Sequence, residues 1–418
     1  MNIKILILSI VSLASAIFIL NRTEPLEAFE GNDPIKKYNE RLEEWQEGYL
    51  DIHHINTGSG DACFMVLPDG TTLLFDAGSL DKEAFEKNRF PLKVTSPVPN
   101  DSLSSAGWIA DYIQKAHPHG TKAHIDYALI SHFHGDHYGS LFELYKLLPI
   151  HNFVDRNYPS YNFPVDLRKV LSLDRTFQDY VALMDTGLVK AASLEVGRSD
   201  QVTLLNSPKK YPHFRITNVK ANATIWTGTG ENTIEYFTKE DMNQFYGPKF
   251  NENPLSIAIK VTYGDFDYFT GGDNTGLQGY GMPPWFDVET PIAKAVGKVE
   301  AMALNHHGNR DATNSFFVET LDPKVVVQQL WCSDHPGQEV YQRLIYDDGI
   351  MEERDLFSTN MHAETKVTYG PWFLENYKST QGHVVIRVVD KGSKYFVYIL
   401  DEGNLSVKQK NGPYSSGQ

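Results

Sequence analysis

Cysteine is scarce in this chain, which excludes a fold held together by several disulfides. Only two of the 418 residues are cysteines, Cys63 and Cys332, and two cannot build a disulfide framework. A single bridge between them stays open at this point. Neither cysteine follows the N-terminal segment at a position suited to lipid attachment. The length instead allows one large domain or two smaller ones, with a sizeable buried core in either case.

Positive charge is also in short supply. Lysine and arginine number 38 against 53 aspartate and glutamate residues, a formal net charge of −15 at pH 7. Sequence-independent binding to nucleic acid depends on lysine and arginine contacts to phosphates. The charge balance therefore disfavours duplex nucleic acid as a partner. It suits a soluble enzyme, or an enzyme whose substrate is cationic or neutral.

The first residues have the pattern of an export signal. Lys4 precedes an apolar run from Ile5 to Leu20, and Ala14-Ser15-Ala16 resembles a cleavage site made of small residues. Because the apolar run continues past that site, residues 1–21 are predicted to be either a cleaved signal peptide or an uncleaved membrane anchor. Both place the body of the protein outside the cytoplasm: in the periplasm, secreted, or attached at the outer face of the inner membrane.

The rest of the chain divides into three predicted parts. Residues 22–48 are predicted to be a polar linker with a short amphipathic helix that begins at Asp33-Pro34. Residues 49–401 alternate apolar strands with helices and include a tight hairpin turn at Asp69-Gly70. Residues 402–418 are predicted to be a flexible tail. Strand hairpins interleaved with helices favour an α/β protein with two sheets covered by outer helices, although the pattern alone leaves other α/β layouts open.

The densest group of chemically active side chains follows an apolar strand predicted at Ile125–Ile130. Residues 132–137 have the sequence His-Phe-His-Gly-Asp-His, four potential metal ligands within six residues. Imidazole nitrogens and carboxylate oxygens bind zinc at about 2.0–2.2 Å, so several of them must converge on one point. In extended chain, residues i and i+2 point the same way, which brings the first two histidines together. The glycine lets the backbone turn and aim the Asp-His pair at a second metal. The segment therefore predicts a metal centre.

This motif resembles that of the metallo-β-lactamase superfamily. In that family the first two histidines serve one metal ion and the Asp-His pair serves the second. The resemblance thus assigns His132 and His134 to the first ion, and Asp136 and His137 to the second. It implies an αββα sandwich of two mixed sheets flanked by helices. It also implies two zinc ions, with Mn²⁺ or iron as alternatives.

Other segments extend the resemblance over roughly residues 50–335. Residues 58–78 are similar to the subgroup that contains the extracellular domain of competence DNA-uptake channel proteins. Phe269–Asp273 resembles the strand and loop that deliver the aspartate shared by the two metals. Leu304–Gly308 resembles the last metal-histidine segment, in which His306 is expected to be the ligand and His307 its substitute or an outer neighbour.

Further side chains are expected to support the centre. Asp61 and Asp76 are expected to shape the loop or to hold a ligating imidazole by hydrogen bonding rather than to bind metal themselves. His335 follows a strand that should end near the site, so a contact with substrate and a simple loop role both stay open.

One ligand of the family pattern has no clear counterpart. The family usually supplies another histidine to the first metal between the Asp-His pair and the shared aspartate. Only His151 and His213 lie in that interval, and neither has a convincing context. Asp155, at the end of a predicted strand, is a further substitute.

The implied chemistry is hydrolysis by metal-activated water, with Asp136 and Asp273 positioning that water. Four functions stay open. The preferred one is a phosphodiesterase or related phosphoester hydrolase, similar to the teichoic-acid phosphorylcholine esterase group, acting on a small-molecule or cell-envelope phosphoester. Tyrosine, phenylalanine and tryptophan number 22, 23 and 6 and could supply an aromatic cage for a quaternary ammonium group. A nuclease, a lactamase or lactonase, and a non-catalytic binding module are the alternatives.

Overall fold

Two nine-stranded mixed sheets form the centre of the protein. The computed structural model describes residues 40–247, 249–347, 350–351 and 353–417. The strands of the first sheet are β1 (Leu50–His54), β2 (Ala62–Val66), β3 (Thr72–Ala77), β4 (Ile125–Leu129), β5 (Ile150–Asp155), β6 (Lys190–Ser193), β18 (His383–Val389), β19 (Lys394–Leu400) and β20 (Val407–Ser415). Their order is β20-β19-β18-β1-β2-β3-β4-β5-β6, so the two ends of the described chain meet in one sheet.

The second sheet is built from the middle of the chain. Its strands are β7 (Phe214–Ala221), β8 (Thr224–Trp226), β9 (Thr233–Glu235), β10 (Ala258–Tyr263), β11 (Phe266–Thr270), β12 (Ala301–Ala303), β13 (Val325–Gln328), β16 (Asp355–Ser358) and β17 (Tyr377–Ser379). Their order is β17-β16-β13-β12-β11-β10-β7-β8-β9. A separate hairpin pairs β14 (Tyr346–Asp347) with β15 (Ile350–Met351).

Helices cover the outer faces of both sheets. They are α1 (Lys82–Asn88), α2 (Ser105–Ala116), α3 (Gly135–Tyr138), α4 (Leu141–Leu147), α5 (Leu167–Val170), α6 (Arg175–Asp185), α7 (Lys239–Tyr246), α8 (Glu289–Val296), α9 (Ser315–Leu321), α10 (Gln338–Ile345), α11 (Ala363–Tyr369) and α12 (Pro371–Leu374). The described residues belong to one compact unit.

Strand alternation explains why each sheet has two apolar faces. Met65 packs into the core between the sheets, together with Ile259 of the other sheet. Its neighbour Phe64 points the opposite way, into the core shared with helices α2 and α4. Residues next to each other in a strand face opposite sides, so a sheet that is covered on both sides needs apolar residues at consecutive positions. The arrangement confirms the predicted αββα sandwich.

The predicted flexible tail is wrong for most of its length. Strand β20 pairs antiparallel with β19, with Val407 opposite Leu400 and Asn411 opposite Val397. Lysines at 408 and 410 alternate with other residues along this edge strand, which is typical of edges that avoid pairing with another chain. A charged edge strand lacks an apolar pattern, and for that reason the sequence resembles a tail.

The predicted linker helix is also wrong where it can be examined. Residues 40–48 contain no helix; Arg41 instead forms a bridge to Ser406, and the indole of Trp45 donates to the carbonyl of Tyr49 at 2.8 Å. Tertiary packing of Trp45 against the first sheet and its helices replaces the helical spacing. The part of this prediction before residue 40 lies outside the described residues, as does the export signal at 1–21.

Two further findings concern the cysteines and the membrane. Cys63 and Cys332 are both free and buried, so the disulfide left open by the sequence does not form. Among the residues that the structure describes, no helix combines the length and the apolar character that crossing a membrane requires.

Parallel strands bring several loops to one edge of the sandwich. In the first sheet β3, β4 and β5 are parallel, and in the second β11, β12 and β13 are parallel. Segment 131–137 follows β4, 271–276 follows β11, and 304–309 follows β12. The backbone of Ile257 donates to Ser131 at 2.9 Å and that of His306 donates to Gly272 at 3.0 Å, which ties these loops together.

Candidate metal centre

The carboxylate of Asp273 lies at the middle of the converging loops. Its Oδ1 is 3.0 Å from His137 Nε2 and 3.6 Å from His307 Nε2. Its Oδ2 is 3.5 Å from His132 Nε2 and 3.7 Å from His306 Nε2. Each oxygen therefore faces a different pair of imidazoles.

The remaining residues of the motif complete the two groups. On the Oδ2 side, His134 Nδ1 lies 3.0 Å from His132 Nε2; we call His132, His134, His306 and this oxygen the first half-site. On the Oδ1 side, Asp136 Oδ2 lies 3.1 Å from His307 Nε2 and 3.7 Å from His137 Nε2. Asp136, His137, His307 and Oδ1 of the central aspartate form the second half-site.

These distances are those expected between ligands of one ion. Zinc bonds of about 2.0–2.2 Å place neighbouring ligand atoms of a tetrahedral site about 3.3–3.6 Å apart, and the contacts above span 3.0–3.7 Å. Donor atoms of Asp136, His137, Asp273 and His307 all lie within 4.8 Å of one another, as do those of His132, His134 and Asp273. Among the described residues, neither His137 Nε2 nor Asp273 Oδ1 has a hydrogen-bond partner although both are buried. Buried polar atoms are rarely left unpaired, so this donor set fits a divalent metal.

The imidazoles of the second half-site are held from behind. His137 Nδ1 donates to Asp76 Oδ2 at 2.9 Å, and His307 Nδ1 donates to the carbonyl of Gln329 at 3.1 Å. Asp61 Oδ1 also lies 3.0 Å from His307 Nδ1. Both Nε2 atoms are thereby directed at the centre. Asp61 and Asp76 stand where the sequence placed supporting carboxylates.

Close backbone packing fixes the position of Asp136. The backbone of Asp61 donates to the Asp136 carbonyl at 2.8 Å. A Cβ atom at Gly78 would lie 1.8 Å from that carbonyl oxygen. Glycine is therefore required at 78, because any side chain would push the metal-binding loop away.

The first half-site is supported by groups that the sequence did not reveal. The hydroxyls of Ser131 and Ser256 lie 3.0 and 3.2 Å from His132 Nδ1. The Phe133 backbone donates to Glu252 at 3.0 Å, and Glu252 pairs with the buried side chain of Arg156. This buried ion pair lies in the irregular middle of the chain, where no spacing or motif could have indicated it.

Charge interactions differ among the imidazoles: against the effect of burial, the carboxylates of Asp311 and Asp273 raise the pKa of His306 to about 9. Burial lowers the pKa of His132 well below its usual value, and it also lowers the pKa of His134. Burial alone would lower the pKa of His137, but the carboxylates of Asp273 and Asp136 raise it well above the ordinary value. Without a metal, these carboxylates thus favour a proton on His137. The same field would favour a divalent cation in place of that proton.

His306 and His307 both face Asp273, at 3.7 and 3.6 Å. Of the two, among the described residues, His307 belongs to a group of ligand atoms that all lie within 4.8 Å of one another and His306 does not, which reverses the predicted ranking. The segment is not a continuing strand. It is a tight turn in which His306 has φ 47° and His307 has φ 53°. The left-handed backbone at both positions sends the two side chains to opposite oxygens of Asp273. Such conformations are uncommon for residues other than glycine, and a sequence gives no sign of them.

Asp155 is not part of the centre, contrary to the prediction that it is a substitute for the missing ligand. Its carboxylate accepts four hydrogen bonds, from the backbones of Asn157 and Tyr158 and from the hydroxyls of Tyr161 and Tyr180. These four hydrogen bonds occupy both oxygens, so the buried Asp155 carboxylate has a structural role.

The other two substitutes are also elsewhere. His151 lies beside Asp126 on β4, and His213 is exposed just before β7. Neither belongs to a donor group that includes Asp273.

His335 packs against the second half-site on the side of His307. Its ring stacks on that of His307 with centroids 5.0 Å apart and meets Trp331 edge-on at 4.9 Å. Burial and the neighbouring His307 lower the pKa of His335 to about 3, which keeps it neutral. Only 3% of its surface is exposed, so it packs behind His307 and is not accessible for contact with a substrate.

An aromatic cluster lies close to the first half-site. Phe245, Tyr246 and Trp285 have ring centroids 4.8, 6.0 and 6.2 Å apart. The hydroxyl of Tyr246 contacts Asn251 at 3.5 Å. Asn251 accepts from the backbone of Asn253 at 3.0 Å.

Asn253 completes this connection. Its side-chain nitrogen lies 3.1 Å from His306 Nε2, so two asparagines link the aromatic cluster to the first half-site. Phe245 is 40% exposed, so a bound molecule could reach the cluster.

Comparisons with known proteins found one family model and several solved structures. The family model described as metallo-beta-lactamase superfamily matches residues 57–186, a span that includes the histidine motif and ends before Asp273. Among solved structures, a proposed metal-dependent hydrolase from Parabacteroides distasonis is 14% identical, with a TM-score of 0.35, over 75% of this chain and 94% of that one. No curated protein matches the chain.

Two further solved structures are similar at the same level. A metallo-hydrolase from the archaeon Ignicoccus hospitalis is 13% identical, with a TM-score of 0.32, over 67% of this chain and 81% of that one. A diiron β-hydroxylase from Streptomyces venezuelae is 13% identical, with a TM-score of 0.35, over 71% of this chain; the match spans only 48% of the hydroxylase. These values are too low to bear on substrate or metal.

Proposed function

We propose that this chain, whose residues 57–186 match the metallo-β-lactamase superfamily model, is an exported phosphodiesterase with a two-metal centre. The match to this superfamily supports a metal-dependent hydrolase. The phosphodiester substrate, the choice of zinc and the export are our proposal. The observation that carries it is the placement of Asp273, whose two carboxylate oxygens face two separate sets of metal-ligating side chains.

The proposed ligands follow from the two half-sites. His132, His134 and His306 would hold one ion, and Asp136, His137 and His307 the other, with Asp273 shared between them. His306 would thereby take the place of the first-site ligand that has no counterpart between residues 138 and 272. Three imidazoles at the first half-site favour zinc, while the carboxylates of the second also suit Mn²⁺ or iron.

A pair of bound divalent ions would activate water and neutralise charge on a phosphoryl group, as in other two-metal hydrolases. The protein's own groups set the geometry for this chemistry. Asp76 fixes the ring of His137, and Gln329 fixes that of His307. The carboxylates of Asp136 and Asp273 stand where they can orient the attacking water and accept its proton.

The surroundings favour a small phosphodiester that carries a positive group. The net charge of −15 disfavours a long polyanion such as duplex DNA. Phe245, Tyr246 and Trp285 present aromatic rings near the first half-site, and such rings attract quaternary ammonium groups. A phosphorylcholine ester of the cell envelope combines both features.

Turnover by the zinc-loaded protein tests this function. We expect hydrolysis of bis-p-nitrophenyl phosphate and p-nitrophenyl phosphorylcholine, and little or none of nitrocefin or single-stranded DNA. The variant His134→Ala should lose activity while keeping its circular dichroism spectrum, and His213→Ala, which alters an exposed histidine, should keep activity. Faster turnover of nitrocefin or DNA than of the two phosphodiesters would contradict the phosphodiesterase and indicate a lactamase or a nuclease instead. Bound zinc without turnover of any substrate would indicate a binding module.

Export is tested separately. A reporter that is active only outside the cytoplasm should become active when fused after residue 21. Retention of the full-length protein in the cytoplasm of a bacterial host would contradict this part of the proposal.

A further inference from the structure

A second group of metal-ligating side chains lies at the opposite end of strand β4. His124 immediately precedes this strand and Asp126 lies within it, so the two are i and i+2 of extended chain and share a face. In the parallel pair of β4 and β5, Ile125 lies opposite Ile150 and Tyr127 opposite Asn152. His151 is therefore the cross-strand neighbour of Asp126.

One oxygen of Asp126 is the common point of this group. Asp126 Oδ1 lies 3.5 Å from His124 Nε2 and 3.4 Å from His151 Nδ1. These are again the spacings of ligands around a tetrahedral ion, about 3.3–3.6 Å. Asp126 Oδ2 accepts from the backbone and the hydroxyl of Thr72 at 2.8 and 3.2 Å, which locks the carboxylate in place.

A hydrogen bond from His124 to the backbone determines which of its two ring nitrogens has a lone pair available to bind a metal. His124 Nδ1 lies 3.1 Å from the carbonyl of Lys122. A carbonyl only accepts, so Nδ1 carries the proton and the neutral ring presents the lone pair of Nε2 to Asp126. A lone pair that faces a carboxylate oxygen is unfavourable unless a proton or a metal ion lies between them, and an ion can hold the oxygen of Asp126 and both imidazoles at once. An imidazole with a carbonyl behind one nitrogen is also the usual arrangement of a metal-bound histidine.

Two more histidines adjoin the group. The ring of His117 lies 4.8 Å from that of His124, and the ring of His119 lies 6.3 Å from it in a stacked arrangement. The backbone of His119 donates to His117 Nδ1 at 2.9 Å, so the neutral His117 ring carries its proton on Nε2. That atom is buried and has no hydrogen-bond partner among the described residues. It is thus left as an unused hydrogen-bond donor beside the group.

We propose that His124, Asp126 and His151 bind a further divalent transition-metal ion, with zinc the best match. Two imidazoles and a carboxylate are typical zinc ligands. The site is separate from the candidate metal centre, because that centre follows the C-terminal end of β4 whereas this group lies at its start. Six residues of extended chain separate Asp126 from His132, about 20 Å.

The site is open to solution. The His151 side chain is 52% exposed and that of His124 is 26% exposed, while Asp126 is only 10% exposed. An ion there would be exchangeable and would link β4 to β5. Because the ion binds the folded chain alone, it would raise the unfolding temperature, and above Kd the gain in stability would grow with the logarithm of the ion concentration.

Counting bound zinc tests this site. We expect the wild-type protein, dialysed against Zn²⁺ and measured by mass spectrometry of the metal, to hold one equivalent more than His151→Ala and one more than His124→Ala. His213→Ala, a matched change at an exposed histidine outside the group, should keep that equivalent. Circular dichroism identifies any variant that fails to fold, and His151→Gln serves as the milder replacement.

The difference between variants does not depend on how many ions the candidate metal centre binds. The same one-equivalent difference is expected in an Asp273→Ala background, where the candidate metal centre is impaired. Equal zinc content in the wild type and both histidine variants would overturn the proposal of this site, whether or not phosphodiesterase activity is found. If the phosphodiesterase assay fails but the one-equivalent difference is measured, the proposed function is wrong and this zinc site is supported.

Discussion

Replacing Asp76 by asparagine tests how the second half-site is held. Asp76 Oδ2 accepts from His137 Nδ1 at 2.9 Å and its Oδ1 accepts from the backbone of Ser131 at 2.7 Å. For His137 Nε2 to bind metal, Nδ1 must carry the proton, so both partners of this carboxylate are donors. The amide group of asparagine would face one of them with its own donor in either orientation.

The expected loss follows from that conflict. Removing a carboxylate behind a metal-bound histidine costs about 10–100-fold in metal affinity or activity, which corresponds to about 1.4–2.7 kcal/mol. We expect Asp76→Asn to weaken zinc binding at the second half-site by this factor and to leave the first half-site within about twofold. Competition with a chromophoric chelator resolves the two binding steps. Asp185→Asn, on the exposed surface, is the control.

Two results would refute this reasoning. Unchanged zinc affinity in a folded Asp76→Asn variant would mean that His137 is not held as described. An equal loss at both steps would mean that Asp76 supports the whole loop and not one imidazole.

Three further changes test other parts of the account. Gly78→Ala should displace the loop that carries Asp136 and lower the free energy of unfolding by about 1–3 kcal/mol. The control Gly403→Ala, with ordinary space around the added methyl group, should leave it unchanged. Equal urea midpoints for the two variants would contradict the packing argument. His306→Ala should weaken zinc binding at the first half-site only, and His307→Ala at the second only, each by about tenfold or more. Chelator titrations measure both affinities. If both variants weaken the same binding step, the division into two half-sites is contradicted. Burial raises the pKa of Glu289 from 4.5 to about 7. Its ionisation therefore favours the unfolded chain, and stability is lost as pH rises from about 4.5 to 7, by roughly 3 kcal/mol. Urea unfolding of Glu289→Gln should lack this slope, and curves parallel to the wild type would refute it.

The central motif could be predicted because local rules govern it. Four ligands in six residues after a buried strand leave few other interpretations, and Asp76 follows from the need to hold a ligating imidazole. Strands covered on both faces were predictable for a similar reason, since they are apolar throughout. The choice of the sandwich over other α/β layouts came from the family resemblance and not from this pattern.

The parts that escaped prediction depend on tertiary structure. Nothing local indicates that His306 and His307 adopt left-handed backbone angles, and this geometry alone lets both reach Asp273. Glu252 and Arg156 are 96 residues apart in sequence and meet only because the two sheets pack together.

The predictions of a flexible C-terminal tail and of a linker helix were wrong for another reason. Strand β20 pairs through its backbone and carries lysines at its exposed edge, so its side chains resemble those of a flexible tail. Trp45 and its neighbours have helical spacing, but they bury their apolar surface against the sheet without forming a helix.

The most direct test of the account is anomalous X-ray diffraction at the zinc absorption edge from crystals of the zinc-loaded protein. Two peaks are expected on opposite sides of the Asp273 carboxylate, about 3.5–4 Å apart. The first should lie within bonding distance of His132, His134 and His306, and the second within that of Asp136, His137 and His307. A single peak at the carboxylate, or none, would contradict the two-metal centre.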